Sequence, residues 1–297
     1  QTKKNILLVP LFYHRTRYSI LALSSLTMKS LKRNSDQMQS SDVPSRPKVD
    51  RALSKAMSWV LRHSAPRLKI TISSDGYVPV STLLSLKTRN FHLYTENDIR
   101  RVVDSNDKQR FRLAMKSVQY DTKMSSSGSS RYQFVDSGGE QVLCIRANQG
   151  HSIEGIKADL LLNPIPPTEL KDYTIIHGTY KDAWEKIKHE GISRMNRNHI
   201  HFAAGLPGND GVISGMRQSC QIYIYINGSK CAEDGVKFYI SDNGVILTSG
   251  IDDTGMLPCS YFSSVIDEKT QHDLLEQSGS ESEIKKIGKG CEETFNF

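Results

Sequence analysis

Three arginines in this sequence stand beside residues suited to handling a phosphate group. Arg62 precedes His63 where a helical pattern ends. Arg110 sits in Asn106-Asp107-Lys108-Gln109-Arg110-Phe111, and Arg217 closes Ser214-Gly215-Met216-Arg217. A guanidinium stays charged at any working pH and can grip two phosphate oxygens at once. Small Ser and Gly residues let a backbone approach such a group closely. His63 alone among these titrates near neutrality, which suits phosphate contact and proton transfer. His177-Gly178-Thr179 adds an imidazole, a permissive backbone position and a hydroxyl at a strand end. Arg194-x-x-Arg197-x-His199-x-His201 alternates, so Arg197, His199 and His201 are expected on one strand face. Two histidines at i, i+2 begin a metal site, but no third Cys, His or acid stands at ligand spacing, and no metal is expected. Each cluster also has an ordinary explanation taken singly: cations favour helix C-termini, and a surface arginine on a strand is common.

The elements that must hold these residues follow from periodicity. Leu53, Met57, Val60 and Leu61 form one apolar stripe, with Asp50 as the expected helix cap. Asp75-Gly76 marks a turn, Tyr77 to Val80 reads as a short edge strand, and Ser81 opens a second helix. Thr95-x-x-Asp98 resembles a capping box ahead of Ile99, Val102 and Val103. Phe111, Leu113 and Met115 then alternate as in a strand, which puts Arg110 on the face opposite Phe111. Asn163 to Pro167 reads as a stiff connector. In the second half, Ile175-Ile176-His177 reads as a strand end and Trp184 with Ile187 as one face of a helix stopping at Gly191. Gln221 to Ile226 reads as a buried strand, and Asp242-Asn243-Gly244 as a hairpin turn.

The ends of the chain differ from its middle. Up to Ser35 there are seven Lys or Arg and no acid, the composition of an organelle transit peptide or a basic arm. Met124 to Ser130 is low in complexity and reads as a long loop, and the Ser/Glu/Lys-rich tail after Ile266 as disordered. A net charge of +7 suits a polyanionic partner without specifying one. Five scattered cysteines without a C-x-x-C pair argue against a disulfide framework and a structural zinc. No stretch has the roughly 18 apolar residues of a membrane span, so no membrane partner is expected.

Read in order, LSKAMSWVLRHSA (53–65), DGYVPV (75–80), NDKQRF (106–111), IRANQGHS (145–152), HGTY (177–180), HIHF (199–202), SGMR (214–217) and SDNGVILTSG (241–250) closely resemble the RNA 2′-phosphotransferases of the Tpt1/KptA family. The resemblance implies an α+β chain. A basic segment (1–48) precedes a winged-helix-like RNA lobe (49–150), an ADP-ribosyltransferase-like NAD lobe (151–265) and a tail (266–297). It implies a catalytic set of Arg62, His63, Arg110 and Arg217, with His177, Gly178, Thr179, His201, Ser214 and Gly215 binding NAD⁺, which is consumed. The implied partner is RNA, specifically tRNA carrying a splice-junction 2′-phosphate, acted on by a monomer in the nucleus or cytoplasm, or in an organelle if residues 1–45 target one. The implied reaction moves the 2′-phosphate to NAD⁺ through an ADP-ribosylated RNA, releasing nicotinamide and ADP-ribose 1″,2″-cyclic phosphate. Many ADP-ribosyltransferases carry a catalytic Glu near the third motif. Val245-Ile246 stands at the nearest equivalent here, which favours the phosphotransferase branch over a transferase that stops after the first step.

Overall fold

The computed structural model describes residues 46–121, 132–209 and 211–275. The basic arm, the Ser-rich Met124–Ser130 stretch and the tail beyond Leu275 lie outside them.

The first half is built on α1 (Arg46–Trp59), which turns Leu53, Ala56 and Met57 inward at helical spacing. The helix starts four residues ahead of Asp50, so Asp50 is not its cap. Its carboxylate instead meets the Arg101 guanidinium at 2.8 Å. Pro47 is tolerated there because first-turn N–H groups have no helical partner. α1 runs on into a π-helical turn, Val60–Ser64, whose wide ring closes where the Ala65 N–H donates to the Val60 carbonyl at 3.0 Å. Then come β1 (Val78–Pro79), α2 (Val80–Leu84), α3 (Glu96–Asp104), β2 (Phe111–Tyr120), β3 (Tyr132–Phe134) and β4 (Glu140–Ala147). The four strands form an antiparallel sheet in the order β1-β4-β2-β3. Pro79 lies on an edge strand, where a missing N–H costs no ladder bond. The capping box forms as read: Thr95 Oγ1 accepts from the Asp98 N–H, and Asp98 Oδ2 accepts from the Thr95 N–H. Leu53, Met57, Leu61, Leu83, Phe91, Ile99 and Ile145 close a core between helices and sheet.

The second half contains α4 (Ala158–Leu161), β5 (Asn163–Ile165), β6 (Ile176–Thr179), α5 (Lys181–Glu190), β7 (Ile192–Ser193), β8 (Ile200–Phe202) and β9 (Ile222–Ile226). It ends with α6 (Gly228–Glu233), β10 (Phe238–Ile240), β11 (Ile246–Thr248), β12 (Met256–Leu257) and β13 (Phe262–Asp267). Two sheets, β5-β10-β11-β8 and β13-β9-β6, pack around Phe202, Phe238, Ile224 and Ile226. Segregated antiparallel sheets with short helices make the chain α+β. The hairpin at 242–244 forms, with Gly244 at φ +74°.

Several expectations need correction. Asn163–Ile165 is not a bare connector but an edge strand on β10, where Pro164 again has no ladder bond to lose. β9 is not buried throughout: Tyr223 and Tyr225 are half-exposed between buried isoleucines. Arg197 and His199 do not share a strand face with His201, because only Ile200–Phe202 is extended and residues 194–199 turn back on themselves. Structure also continues past Ile266: β13 reaches Asp267, and Ile266 bridges to Asp273.

The hairpin turn does more than reverse the chain. Asp242 accepts from Arg112 and Arg146 of the first-half sheet, each at 2.8 Å, and the Asn243 side-chain amide donates to the Lys108 carbonyl at 2.9 Å. Asn198 donates its backbone N–H to the His151 carbonyl and its side-chain amide to the Ile153 carbonyl, and Ile153 packs into the first-half core, which ties the halves a second time.

Candidate active site

All the expected catalytic and NAD-binding residues except His63, together with Arg197 but not Arg194 or His199, line one cavity of about 370 Å³ between the halves. Arg62 reaches it from the π turn, Arg110 from just ahead of β2, and His177, Gly178 and Thr179 from β6. His201 comes from β8, and Ser214, Gly215 and Arg217 from the loop before β9. His63 opens on a neighbouring groove that shares Arg62 and Arg110.

Arg62 is the most constrained of these. Its Nε and Nη2 are buried without a hydrogen-bond partner, among few such side-chain atoms in the described residues. Burial, with the positive charges of Arg110 and Arg197, pushes its pKa down to about 10. It remains a cation at pH 7, but one stripped of water and holding unused donors, a state that an entering anion relieves. At Gly150, where φ is +88°, a Cβ would lie 3.5 Å from the guanidinium, and Ser152 donates its N–H to the Arg62 carbonyl at 2.9 Å. Ser152 Oγ also lies 2.9 Å from His63 Nδ1, so one loop fixes both residues. Burial and the charges of Arg62 and Arg197 lower the His63 pKa.

Arg110 is not simply the reverse face of a strand. It precedes β2, and Asn106 Oδ1 holds both its N–H and its Nη1 at 3.2 Å. Burial lowers its pKa, with Asp107 opposing. Arg217 is exposed, lies over the Tyr180 ring at 5.8 Å and has its pKa raised by its bond to that phenol. Gly215 is required where it stands: at φ +120°, a Cβ would come within 2.5 Å of the Ala203 backbone. Gly178 owes its place to packing rather than dihedral freedom, since a Cβ there would strike Cys220 and Met216.

The other wall is polar and neutral. His177 Nδ1–H donates to the His201 carbonyl at 3.0 Å, and His201 Nε2 lies 2.8 Å from Gln149 Oε1. Burial lowers both imidazole pKa values. His151, packed nearby, is held at about 3 by burial and by Arg62, Arg146, His199 and His63. In the unfolded chain these imidazoles take up protons near pH 6.5, whereas the folded ones refuse them. Folded pKa values below unfolded ones mean stability present above pH 6.5 and lost as pH falls below it, by up to about 1.4 kcal/mol per pH unit per histidine. Calorimetry should show a steady melting temperature from pH 8 to 7 and a steep fall between pH 6.5 and 5. A flat profile over that range would contradict the burial of these rings.

The expected catalytic and NAD-binding sets leave out six lining residues: Lys108, Gln149, Tyr180, Arg197, Met216 and Cys220. Arg197 lay in the alternating run already noted, and Gln149 in the same motif as His151. Val245 and Ile246 are fully buried and line no part of the cavity, so neither residue is what keeps it free of acid. That property belongs to the wall itself. Among its described lining residues there is no carboxylate, while Arg62, Lys108, Arg110, Arg197 and Arg217 all converge there. Such a site selects for a multiply charged anion and stabilises negative charge developing on it.

A family model described as "RNA 2'-phosphotransferase, Tpt1 / KptA family" matches residues 48–250. The chain belongs to that family. It is similar to tRNA 2'-phosphotransferase 1 of Danio rerio, at 44% identity over 216 residues covering 72% of this chain and 84% of the relative. The Homo sapiens protein of the same name is 39% identical over 78% of this chain and 81% of its own. The Saccharomyces cerevisiae tRNA 2'-phosphotransferase is 40% identical over 69% and 80%. Every residue lining the cavity falls inside the region matched by the Tpt1/KptA model. Among the described residues no group of three His, Cys, Asp or Glu is placed to hold a metal, and no helix is long and apolar enough to cross a membrane.

Proposed function

We propose that this chain transfers an internal 2′-phosphate of RNA, on tRNA at a splice junction, to NAD⁺. The products are 2′-OH RNA, nicotinamide and ADP-ribose 1″,2″-cyclic phosphate, formed by way of an ADP-ribosylated RNA. The observation carrying this reading is the desolvated, unpartnered Arg62 in an acid-free cavity with Arg110, Arg197 and Arg217. The names of the relatives support the tRNA substrate.

A phosphomonoester carries about −1.5 to −2 charges at neutral pH, and a dinucleotide brings a pyrophosphate of its own. Bringing the two together requires permanent cations, which arginines supply without titrating. Arg62 and Arg110 come from residues 49–150, read as a winged-helix-like RNA lobe. Arg197 and Arg217 come from residues 151–265, read as an ADP-ribosyltransferase-like lobe. The neutral wall of His177, Thr179, Ser214 and His201 suits the uncharged sugar and amide parts of a dinucleotide. When bound, NAD⁺ supplies an electrophilic ribose carbon and the nicotinamide leaving group. The arginines orient the RNA phosphate for attack and stabilise the charge gathered at phosphorus when a ribose hydroxyl displaces the RNA 2′-oxygen.

His63 is assigned the proton transfer in that second displacement because it borders the groove that shares Arg62 and Arg110 with the cavity, is tied to Ser152, and has a pKa lowered by burial and neighbouring cations. His63→Ala is expected to slow the second step by on the order of 10²-fold and the first far less, so ADP-ribosylated RNA accumulates in a quenched time course. Equal slowing of both steps would remove His63 from this role. The reading as a whole is tested by incubating the wild-type chain with NAD⁺ and 2′-phosphorylated RNA. Stoichiometric nicotinamide and cyclic phosphate are expected; a stable ADP-ribosylated RNA as sole product, or no NAD⁺ consumption, would overturn it.

A further inference from the structure

A groove of about 530 Å³ shares Arg62 and Arg110 with the cavity and extends from them along α1, past Arg51, Lys55 and Trp59. These three recur every four residues, so they stand on one helix face. Arg67 and Arg89 lie over the Trp59 indole at 5.3 and 4.7 Å and continue the cationic strip beyond it. Among the described residues none of Arg51, Lys55, Arg67 and Arg89 pairs with a carboxylate, and no acid lines this groove. A larger groove of about 1030 Å³ shares Lys108, Arg110 and Arg217 with the cavity and Arg51 with the first groove, but carries Asp50 and Asp107. A polyanion leaving the phosphate cavity therefore passes two carboxylates on one path and none on the other.

We propose that single-stranded RNA adjoining the 2′-phosphate lies along this face of α1, its backbone phosphates against Arg51 and Lys55 and its path bounded by the Trp59 cluster. The inference rests on the 2′-phosphate reading above. Cations spaced along a groove beside an aromatic ring are the usual means of holding a single strand without reading its bases. Arg51 lies about 16 Å from Arg62 along the helix at 1.5 Å per residue, so a strand must run past the reacting nucleotide to reach it. Long substrates should gain affinity here that the shortest ones cannot.

The test uses the double variant Arg51→Ala/Lys55→Ala with two probes, a labelled 2′-phosphorylated 12-nucleotide RNA and a 2′-phosphorylated dinucleotide. For the 12-mer, Kd by fluorescence anisotropy is expected to rise on the order of tenfold. The slope of log Kd against log salt should fall by about 1.4, because each lost single-strand phosphate contact removes about 0.7. Turnover and KM of the dinucleotide should match the wild type. A 12-mer Kd within twofold of wild type, an unchanged salt slope, or an equal loss with the dinucleotide would each overturn the proposal. The binding arm needs no turnover, so a wild-type chain that transfers no phosphate would sink the activity reading while the salt slope still decides the groove. Substituting Arg89→Ala alone should raise the 12-mer Kd by a smaller factor, and a circular dichroism melt shows whether either variant is folded.

Discussion

Arg62→Ala is expected to lower kcat/KM by on the order of 10³ while leaving the melting temperature unchanged or higher. The two halves of this expectation have one cause. Arg62 is buried with Nε and Nη2 unpartnered, beside Arg110 and Arg197, so in the resting protein it is an uncompensated cation that opposes folding. Removing it relieves that strain. The same desolvation makes the guanidinium strong toward an arriving phosphate, where one preorganised donor is worth roughly 3–4 kcal/mol of transition-state stabilisation. A site whose stability and activity pull in opposite directions is what selection for catalysis leaves behind. Arg62→Lys should rescue little, since a single ammonium cannot offer the bidentate fork and its shorter reach is fixed by the π turn. Steady-state kinetics beside a thermal melt would check this. A variant that loses ten degrees and only tenfold activity would make Arg62 a structural cation instead.

How much of this was legible in the sequence depended on whether the signal was local. The capping box at Thr95 and Asp98, the edge strand at Pro79, the helix ending at Gly191 and the hairpin at 242–244 are written in a few neighbouring residues, and each forms as read. The start of α1 was misplaced because an Asp three residues ahead of a stripe is a cap only if nothing helical precedes it, and Asp50 instead answers Arg101 from a distant helix. The shared face assigned to Arg197, His199 and His201 failed for a related reason. Alternation over five residues fits a strand, but the turn at 194–199 is set by backbone bonds to Gly255 and His151, which no local pattern encodes. The motifs name the expected site residues, whereas their convergence on one cavity, the burial of Arg62 and the recruitment of Lys108, Gln149 and Tyr180 arise only when the halves meet.

That meeting depends on Asp242, and its removal is the second large effect expected. Asp242→Ala should cost about 3–5 kcal/mol and lower the melting temperature by roughly 10 °C. Two arginines reach this carboxylate, but they are not equivalent. Arg112 is 56% exposed, and an ion pair at that exposure is worth little. The Arg146 side chain is 7% exposed, its Nε already lacks a partner, and its only carboxylate among the described residues is Asp242. Taking Asp242 away strands that cation in the interface. Arg112→Ala should therefore cost under about 1 kcal/mol, and adding Arg146→Met to Asp242→Ala should recover most of the loss, because a pair removed together leaves no buried charge behind. The carboxylate also sets an acid limit. Burial raises its pKa, but the bonds and charges of Arg112 and Arg146 outweigh burial and hold it below the usual carboxylate range. Its contribution is thus full above the unfolded pKa near 3.9 and lost as pH falls through the folded value, below the window in which the histidines act. Because the adjacent Asn243 holds the Lys108 carbonyl, two residues from Arg110, the variant should also lose activity at temperatures where it is still folded. If Asp242→Ala instead melts within two degrees of the wild type, Arg146 has found water, and the junction is held by Asn198 and Asn243 rather than by charge.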